Sequence, residues 1–355
     1  LDKRHNRVKN LLAEEELDGI LVLSPANRRY LSGFTGTAGC LLITNAVYLI
    51  LADSRYTEQA KKQCSRFKVI QIQENIWDSL NGVLKDYKVK NVGFEDGFVT
   101  CRQYGRMTEK LDGAYLVPLG DRLDKIRMVK DREEIENIRT AARICERALL
   151  HVKPLVKPGT VEKDISLELE FYIRRAGCSG PAFEFIVASG PRSALPHGTA
   201  GSRRIRDGDL VVIDLGGKYN GYCSDMTRTF VVGRPNPKQK EIYDTVLMAQ
   251  TLALNGIKAG MTASGADGIA REIIERAGYG EYFGHGLGHG VGLQIHEAPT
   301  LNQRCDTVLE PGMVVTVEPG IYVPDFGGVR IEDLVMVAED GIENLNSADK
   351  ELTYF

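Results

Sequence analysis

Apolar positions along the chain recur with two periods, every second residue or every third to fourth, and the changes between them divide it into elements. Near the start, Val8, Leu11, Leu12 and Leu17 fall on one helical face, which predicts a helix ending near Leu17. Gly19-Ile20-Leu21-Val22-Leu23 is continuously apolar and reads as a buried strand. Residues 41–43 and 48–51 flank Thr44-Asn45 and predict a hairpin. Helical spacing returns over 54–63, 76–87 and 100–111, with short strands between. Residues 1–120 are therefore expected to form a compact α/β domain.

Residues 121–130 are expected to link this domain to a second one, 131–355. Asp131-Arg132-Glu133-Glu134 has capping-box spacing and opens a long helix with Ile135, Ile138, Ala142, Cys145 and Leu149 on its apolar face. Another helix is expected over about 160–176, stopped by Gly177. The layout then recurs. Asn236-Pro237 is a cap followed by a first-turn proline, and the helix runs through Ile242, Val246, Ala249 and Ala253. A further helix follows Thr262 and is closed by Gly278.

The strands after each helix pair are imperfect copies. Asp207-Gly208-Asp209-Leu210-Val211-Val212-Ile213-Asp214-Leu215-Gly216 aligns with Pro311-Gly312-Met313-Val314-Val315-Thr316-Val317-Glu318-Pro319-Gly320. Each copy carries a glycine turn, a β-branched run and a carboxylate six residues after the glycine. Each continues through a Tyr and a second Gly turn to a second acid, Asp225 or Glu332. Alternation puts Asp214 on the strand face of Val212, and Asp225 on that of Cys223. A single acid at a strand end is usually a turn residue. Four in a repeated frame, brought together by a pseudo-two-fold arrangement, need a cation to hold them.

Composition excludes more than it suggests. With 355 residues, 43% hydrophobic and 26% charged, the chain can bury the cores of two domains. A net charge of −3 gives no footprint for nucleic acid or an anionic membrane. The longest apolar run, 46–52, is far short of the about 20 residues that span a bilayer. The charged, helical N-terminus does not read as a signal peptide. Seven scattered cysteines without a CxxC spacing suit a reducing, cytoplasmic setting. Cys223, two residues before Asp225, reads as strand packing rather than as a ligand.

Three of the six histidines fall within twelve residues, in His285-Gly-Leu-Gly-His289-Gly-Val-Gly-Leu-Gln-Ile-His296. The alternating glycines let backbone approach a packed site. A dinucleotide loop is excluded, since the strand–GxGxxG–helix context is missing and imidazoles would obstruct a pyrophosphate. His5 and His151 read as ordinary core or surface residues. Four carboxylates with an imidazole form a hard donor set suited to two divalent ions, Mn foremost, with Co, Zn or Fe as alternatives. Such a pair balances four negative charges and acidifies a water towards neutral pH, which points to hydrolysis.

On these motifs the chain resembles the pita-bread metallopeptidases, family M24, and in particular their proline-directed branch, aminopeptidase P and prolidase. The resemblance covers nearly the whole length, with Asn27-Arg28-Arg29-Tyr30-Leu31-Ser32-Gly33-Phe34-Thr35-Gly36 supporting it in the first half. It implies a creatinase-like α/β N-terminal domain and an α+β pita-bread catalytic domain with an internal pseudo-two-fold repeat. It maps the metal ligands onto Asp214, Asp225, His289, Glu318 and Glu332, with Asp225 and Glu332 shared by both ions. Glu318 would also shuttle a proton. His197, His285 and His296 would face the scissile bond and orient substrate, and Arg330 would hold the ligand carboxylates. Tyr322 matches a pocket tyrosine, or is a core residue with a satisfied hydroxyl. A homodimer is the family expectation.

Methionine aminopeptidases share the five ligands but lack the extra domain and the equivalents of His285 and Arg330. Creatinase-like hydrolases, and non-catalytic peptide-binding modules on this fold, lack the ligands. Within the proline branch, some prolidases read His-Glu-Trp-Pro-Arg, with an arginine suited to a dipeptide's free carboxylate. Here the stretch is His296-Glu297-Ala298-Pro299-Thr300. Without that clamp the expectation is an Xaa-Pro aminopeptidase acting on peptides with proline second. Xaa-Pro dipeptidase is the alternative, with Arg304 as a substitute cation.

Overall fold

The computed structural model describes residues 2–355. The chain divides into two compact units, one ending at Arg127 and the other comprising Met128–Phe355. Residues 121–130 are ordered on both sides of that boundary. Arg122–Ile126 is a short helix of the first unit, while Val129 bridges to Met313 in the second.

The first unit is built on a six-stranded sheet. Its order is Lys68–Gln71, Tyr48–Ala52, Cys40–Thr44, Gly19–Val22, Asn91–Phe94, Tyr115–Pro118. The expected hairpin, Cys40–Thr44 with Tyr48–Ala52, is antiparallel, and the outer pairs are parallel. Helices form at Asp2–Glu14, Thr57–Gln63, Ile76–Asp86 and Cys101–Lys110, near the positions their periodicity predicts. One helix, Pro25–Ser32, has no such periodic signal. Its Arg28 is buried and donates to the carbonyls of Gly36 (2.8 Å) and Gly39 (2.7 Å). Ahead of that helix the buried Glu95 accepts the backbone N–H groups of Leu23 (2.5 Å) and Ser24 (2.8 Å), and Asn27 Nδ2 (2.7 Å).

The second unit repeats itself as expected. Helices Arg132–Val152 and Glu162–Arg175 precede the first set of strands, and Pro237–Gly256 and Ala263–Arg276 precede the second. Both long helices open with reciprocal capping boxes, Asp131 with Glu134 and Asn236 with Gln239. Each helix pair packs its own core. Ile144, Ile165, Leu169 and Ile173 meet Val187, Val211 and Ile213 in the first half. Ile242, Val246, Ala270 and Ile274 meet Val315, Val317 and Val335 in the second.

The repeat extends to individual backbone bonds. Gly208 and Gly312 both hold φ near +80 to +90° (+81 and +88), the left-handed region where glycine is unstrained. Gly208 donates to Val232 O (2.7 Å), and Gly312 donates to Val337 O (2.9 Å). The halves are stitched at strand Met226–Val231, where Thr227 bridges to Glu332. Thr229 Oγ1 donates to Arg330 O (2.9 Å) and accepts from Arg330 N (3.1 Å). The acid-bearing ends of both copies therefore face one another.

Candidate metal centre

Asp214 lies in strand Leu210–Leu215 opposite Thr227, and Asp225 immediately precedes Met226–Val231. Glu318 follows Val314–Val317 and Glu332 precedes Asp333–Ala338, so each copy presents its acids at equivalent strand ends. His289 sits in the short strand Gly288–Gly290. Its glycine neighbours are required by crowding, since a Cβ at Gly288 would collide with Thr316 O and one at Gly290 with Ala298 O.

One ligand atom each from Asp225, His289 and Glu332 lie within 4.8 Å of one another. His289 Nε2 is 3.6 Å from Asp225 Oδ2 and 3.4 Å from Glu318 Oε1. These contacts are not ion pairs. Burial lowers the His289 pKa below its ordinary value, which makes the imidazole neutral at pH 7. Its Nδ1 lies 3.1 Å from Gly290 O, a carbonyl that can only accept, so Nδ1 carries the proton. The Nε2 lone pair then faces two carboxylate oxygens. Three acceptors turned towards one another are a cation site.

The acids add to that requirement. Burial, reinforced by Glu332, Asp214 and Glu318, pushes the Asp225 carboxyl well above the usual range. Burial with Glu318 and Asp214 does the same to Glu332. Asp214 Oδ1 is buried and has no hydrogen-bond partner. Its Oδ2 accepts Arg330 Nη2 at 2.6 Å. The donor set and its orphaned oxygen fit divalent metal.

Two threonines hold the remaining carboxylates. Thr227 Oγ1 donates to Glu332 Oε2 (2.7 Å), and Thr316 Oγ1 to Glu318 Oε1 (2.9 Å). Sequence reasoning missed both. Carrying the alternation on by two residues from Asp225, and back by two from Glu318, would have found them.

Arg330 also donates to Tyr322 Oη (2.8 Å) and to Pro196 O (3.2 Å). Tyr322 Oη lies 3.0 Å from His285 Nε2, and His285 Nδ1 lies 2.8 Å from Gly286 O. The terminal carbonyl sets the direction of the whole chain. Nδ1–H donates to Gly286, Tyr322 O–H donates to Nε2, and Arg330 donates to the tyrosine oxygen. Burial pushes the Tyr322 hydroxyl up to about 12, so it keeps its proton.

A cavity of about 580 Å³ opens over these groups. All nine predicted site residues line it: the five ligands together with His197, His285, His296 and Arg330. His296 stands against His289, with ring centroids 4.4 Å apart. Phe183, Ile186 and Ile295 supply apolar wall, while Thr300 and Asn302 supply neutral polar wall. Tyr322 and Arg304 are not among the lining residues. Cys223 is buried and its thiol is pushed up to about 11 by burial, so it packs as an inert residue.

Known proteins resemble the chain in sequence and fold. Residues 136–339 match metallopeptidase family M24, and residues 4–129 match the creatinase/prolidase N-terminal domain. A solved structure described as an Xaa-Pro dipeptidase from Bacillus anthracis is 45% identical, with a TM-score of 0.98 and 99% of each chain covered. An X-Pro aminopeptidase from Thermotoga maritima is 40% identical, with a TM-score of 0.92 and the same coverage. The Xaa-Pro dipeptidase of Pyrococcus furiosus is 40% identical over 99% of this chain and 100% of its own. A pita-bread unit built from two copies of one motif, five converging donors and matches over both units lead to one assignment: the chain belongs to metallopeptidase family M24.

Proposed function

We propose that the chain hydrolyses the peptide bond on the amino side of proline, using two divalent ions held by Asp214, Asp225, His289, Glu318 and Glu332. The observation that carries this reading is the neutral His289, whose Nε2 lone pair faces the Asp225 and Glu318 carboxylates. Bound metal supplies Lewis acidity and a water acidified for attack. The chain's own groups do the rest. Glu318 keeps Oε2 available for a proton, since Oε1 already accepts from Thr316. His296 and His197 flank the scissile carbonyl and orient it. Phe183, Ile186 and Ile295 exclude water and pack the pyrrolidine ring.

The name Xaa-Pro dipeptidase carried by several relatives supports dipeptides as the substrates, rather than the longer peptides that the sequence suggested. One observation supports the aminopeptidase reading as the second. Among the described residues the cavity wall holds a single Lys or Arg, Arg330, which is committed to Asp214, Tyr322 and Pro196. Thr300 stands in the wall where a carboxylate-binding arginine would be placed. The expected ion is manganese. Seven free cysteines suit the cytoplasm, and a homodimer is the expected assembly.

Matched Xaa-Pro and Xaa-Pro-Yaa substrates, with Mn-loaded and chelated enzyme, separate the readings. Metal-dependent cleavage of the dipeptide alone establishes a dipeptidase. Cleavage of the longer peptide establishes an aminopeptidase. Inertness of the Mn-loaded protein to both sinks the proline assignment.

A further inference from the structure

The turn that carries His296 into the cavity is built on a buried ion pair outside it. Glu297 follows His296 but does not line the cavity. Its side chain is 3% exposed, and that of Lys130 is 1% exposed, with Nζ 3.4 Å from Oε2. The other oxygen, Oε1, accepts Gln294 N at 3.0 Å, and Gly292 N donates to Gln294 O at 3.0 Å. A Cβ at Gly292 would collide with the Glu297 carboxylate, so a side chain there would displace that group.

Both ends of this arrangement are fastened. Cys223 N donates to Gly292 O at 2.7 Å, tying the turn to the hairpin that bears Asp225. Lys130 N donates to Gly312 O at 2.9 Å, fixing the lysine backbone against the second copy of the repeat. Between those anchors, residues 293–296 wrap the Glu297 carboxylate, with Leu293 and Ile295 packed beside Ile138 and Val314. A carboxylate so far from water is held where its cation is.

We propose that Lys130 is a positioning residue. It fixes Glu297, Glu297 shapes the turn from Gly292, and the turn sets the His296 ring against His289. This inference rests on the peptidase reading above for its kinetic test. The lysine acts at a distance, since it does not itself line the cavity.

The test uses the full-length protein loaded with Mn. Lys130→Met alone takes a cation from beside a buried carboxylate and invites misfolding, so the main variant is Lys130→Met/Glu297→Gln. It should retain wild-type Mn affinity by calorimetric titration, because no ligand is touched. Its kcat should fall about 10- to 100-fold, the effect of a small misplacement at the reacting centre, with KM changed much less. Lys130→Arg should recover part of the loss. In a His296→Ala background the same pair of changes should cost less than twofold, because the group they position is gone. An equal loss in both backgrounds overturns the proposal, as does an unchanged kcat in the double variant. Should the wild type cleave no Xaa-Pro substrate, the peptidase reading fails separately. The His296 ring resonance of the protein loaded with diamagnetic Zn then decides. It should shift in the double variant while that of His197 stays; a stationary His296 signal overturns the proposal.

Discussion

Arg330 is the residue on which ligand and cavity chemistry meet. Its guanidinium holds Asp214 at one end and at the other donates to Tyr322, the hydroxyl that reaches His285 Nε2. His285 lines the cavity, yet both its ring nitrogens are already bonded within the chain. The part in substrate binding proposed for it would therefore require Tyr322 to yield. Replacing Arg330 by Met strips Asp214 of its charge partner and leaves the tyrosine without a donor. Mn affinity should fall about 10- to 100-fold, the range for losing a group that orients a metal ligand. Titration calorimetry on the folded variant checks this. An unchanged affinity would mean that Asp214 is held by the strand alone.

At the scale of elements, the first unit offers a pH test. Burial raises the Glu95 carboxyl despite donors from Asn27, Ser24 and Leu23. A carboxyl whose folded pKa lies above its unfolded value binds more protons in the native state. Its contribution is therefore lost as pH rises from the unfolded value, about 4.3, through the folded one. Glu95→Gln removes that decline. In urea titrations the difference between variant and wild type should move in the variant's favour from about pH 4.5 to 7. A shift in the opposite direction would mean that the backbone donors dominate burial.

The helix whose N-terminal end Glu95 holds also shows where the sequence was opaque. Pro25–Ser32 presents Asn27, Arg28 and Arg29, a polar run that carries no apolar stripe. Its buried arginine donates to the Gly36 and Gly39 carbonyls of the loop that follows, a use that no periodic pattern signals. The long helices of the second unit were legible because local signals agree there, from the Asp131 and Asn236 caps to the periodic Ile and Ala positions. The acids were legible because the duplication repeats them. Lys130 and Glu297 were not, since neither their burial nor their proximity leaves a local trace. Thr316 looked like one more β-branched core residue, and only its bond to Glu318 sets it apart.

For the whole molecule, metal should act as a structural tie as well as a cofactor. At 100 times its dissociation constant, a ligand that binds only the native state adds about 2.7 kcal/mol. Mn should raise the melting temperature of the protein, and a chelator should reverse the gain. Equal melting curves with and without Mn would sink the assignment of these five residues as ligands.

The matched Gly208 and Gly312 turns have a historical consequence. Asp214 and Asp225 come from one copy; His289, Glu318 and Glu332 come from the other. A half-length ancestor would have offered a single pair of acids and would have enclosed an ion only by pairing with its twin. Fusing the twins into one polypeptide released them from identity. One side could then carry an imidazole with two glutamates and the other two shorter aspartates, an asymmetry closed to a symmetric assembly of identical halves.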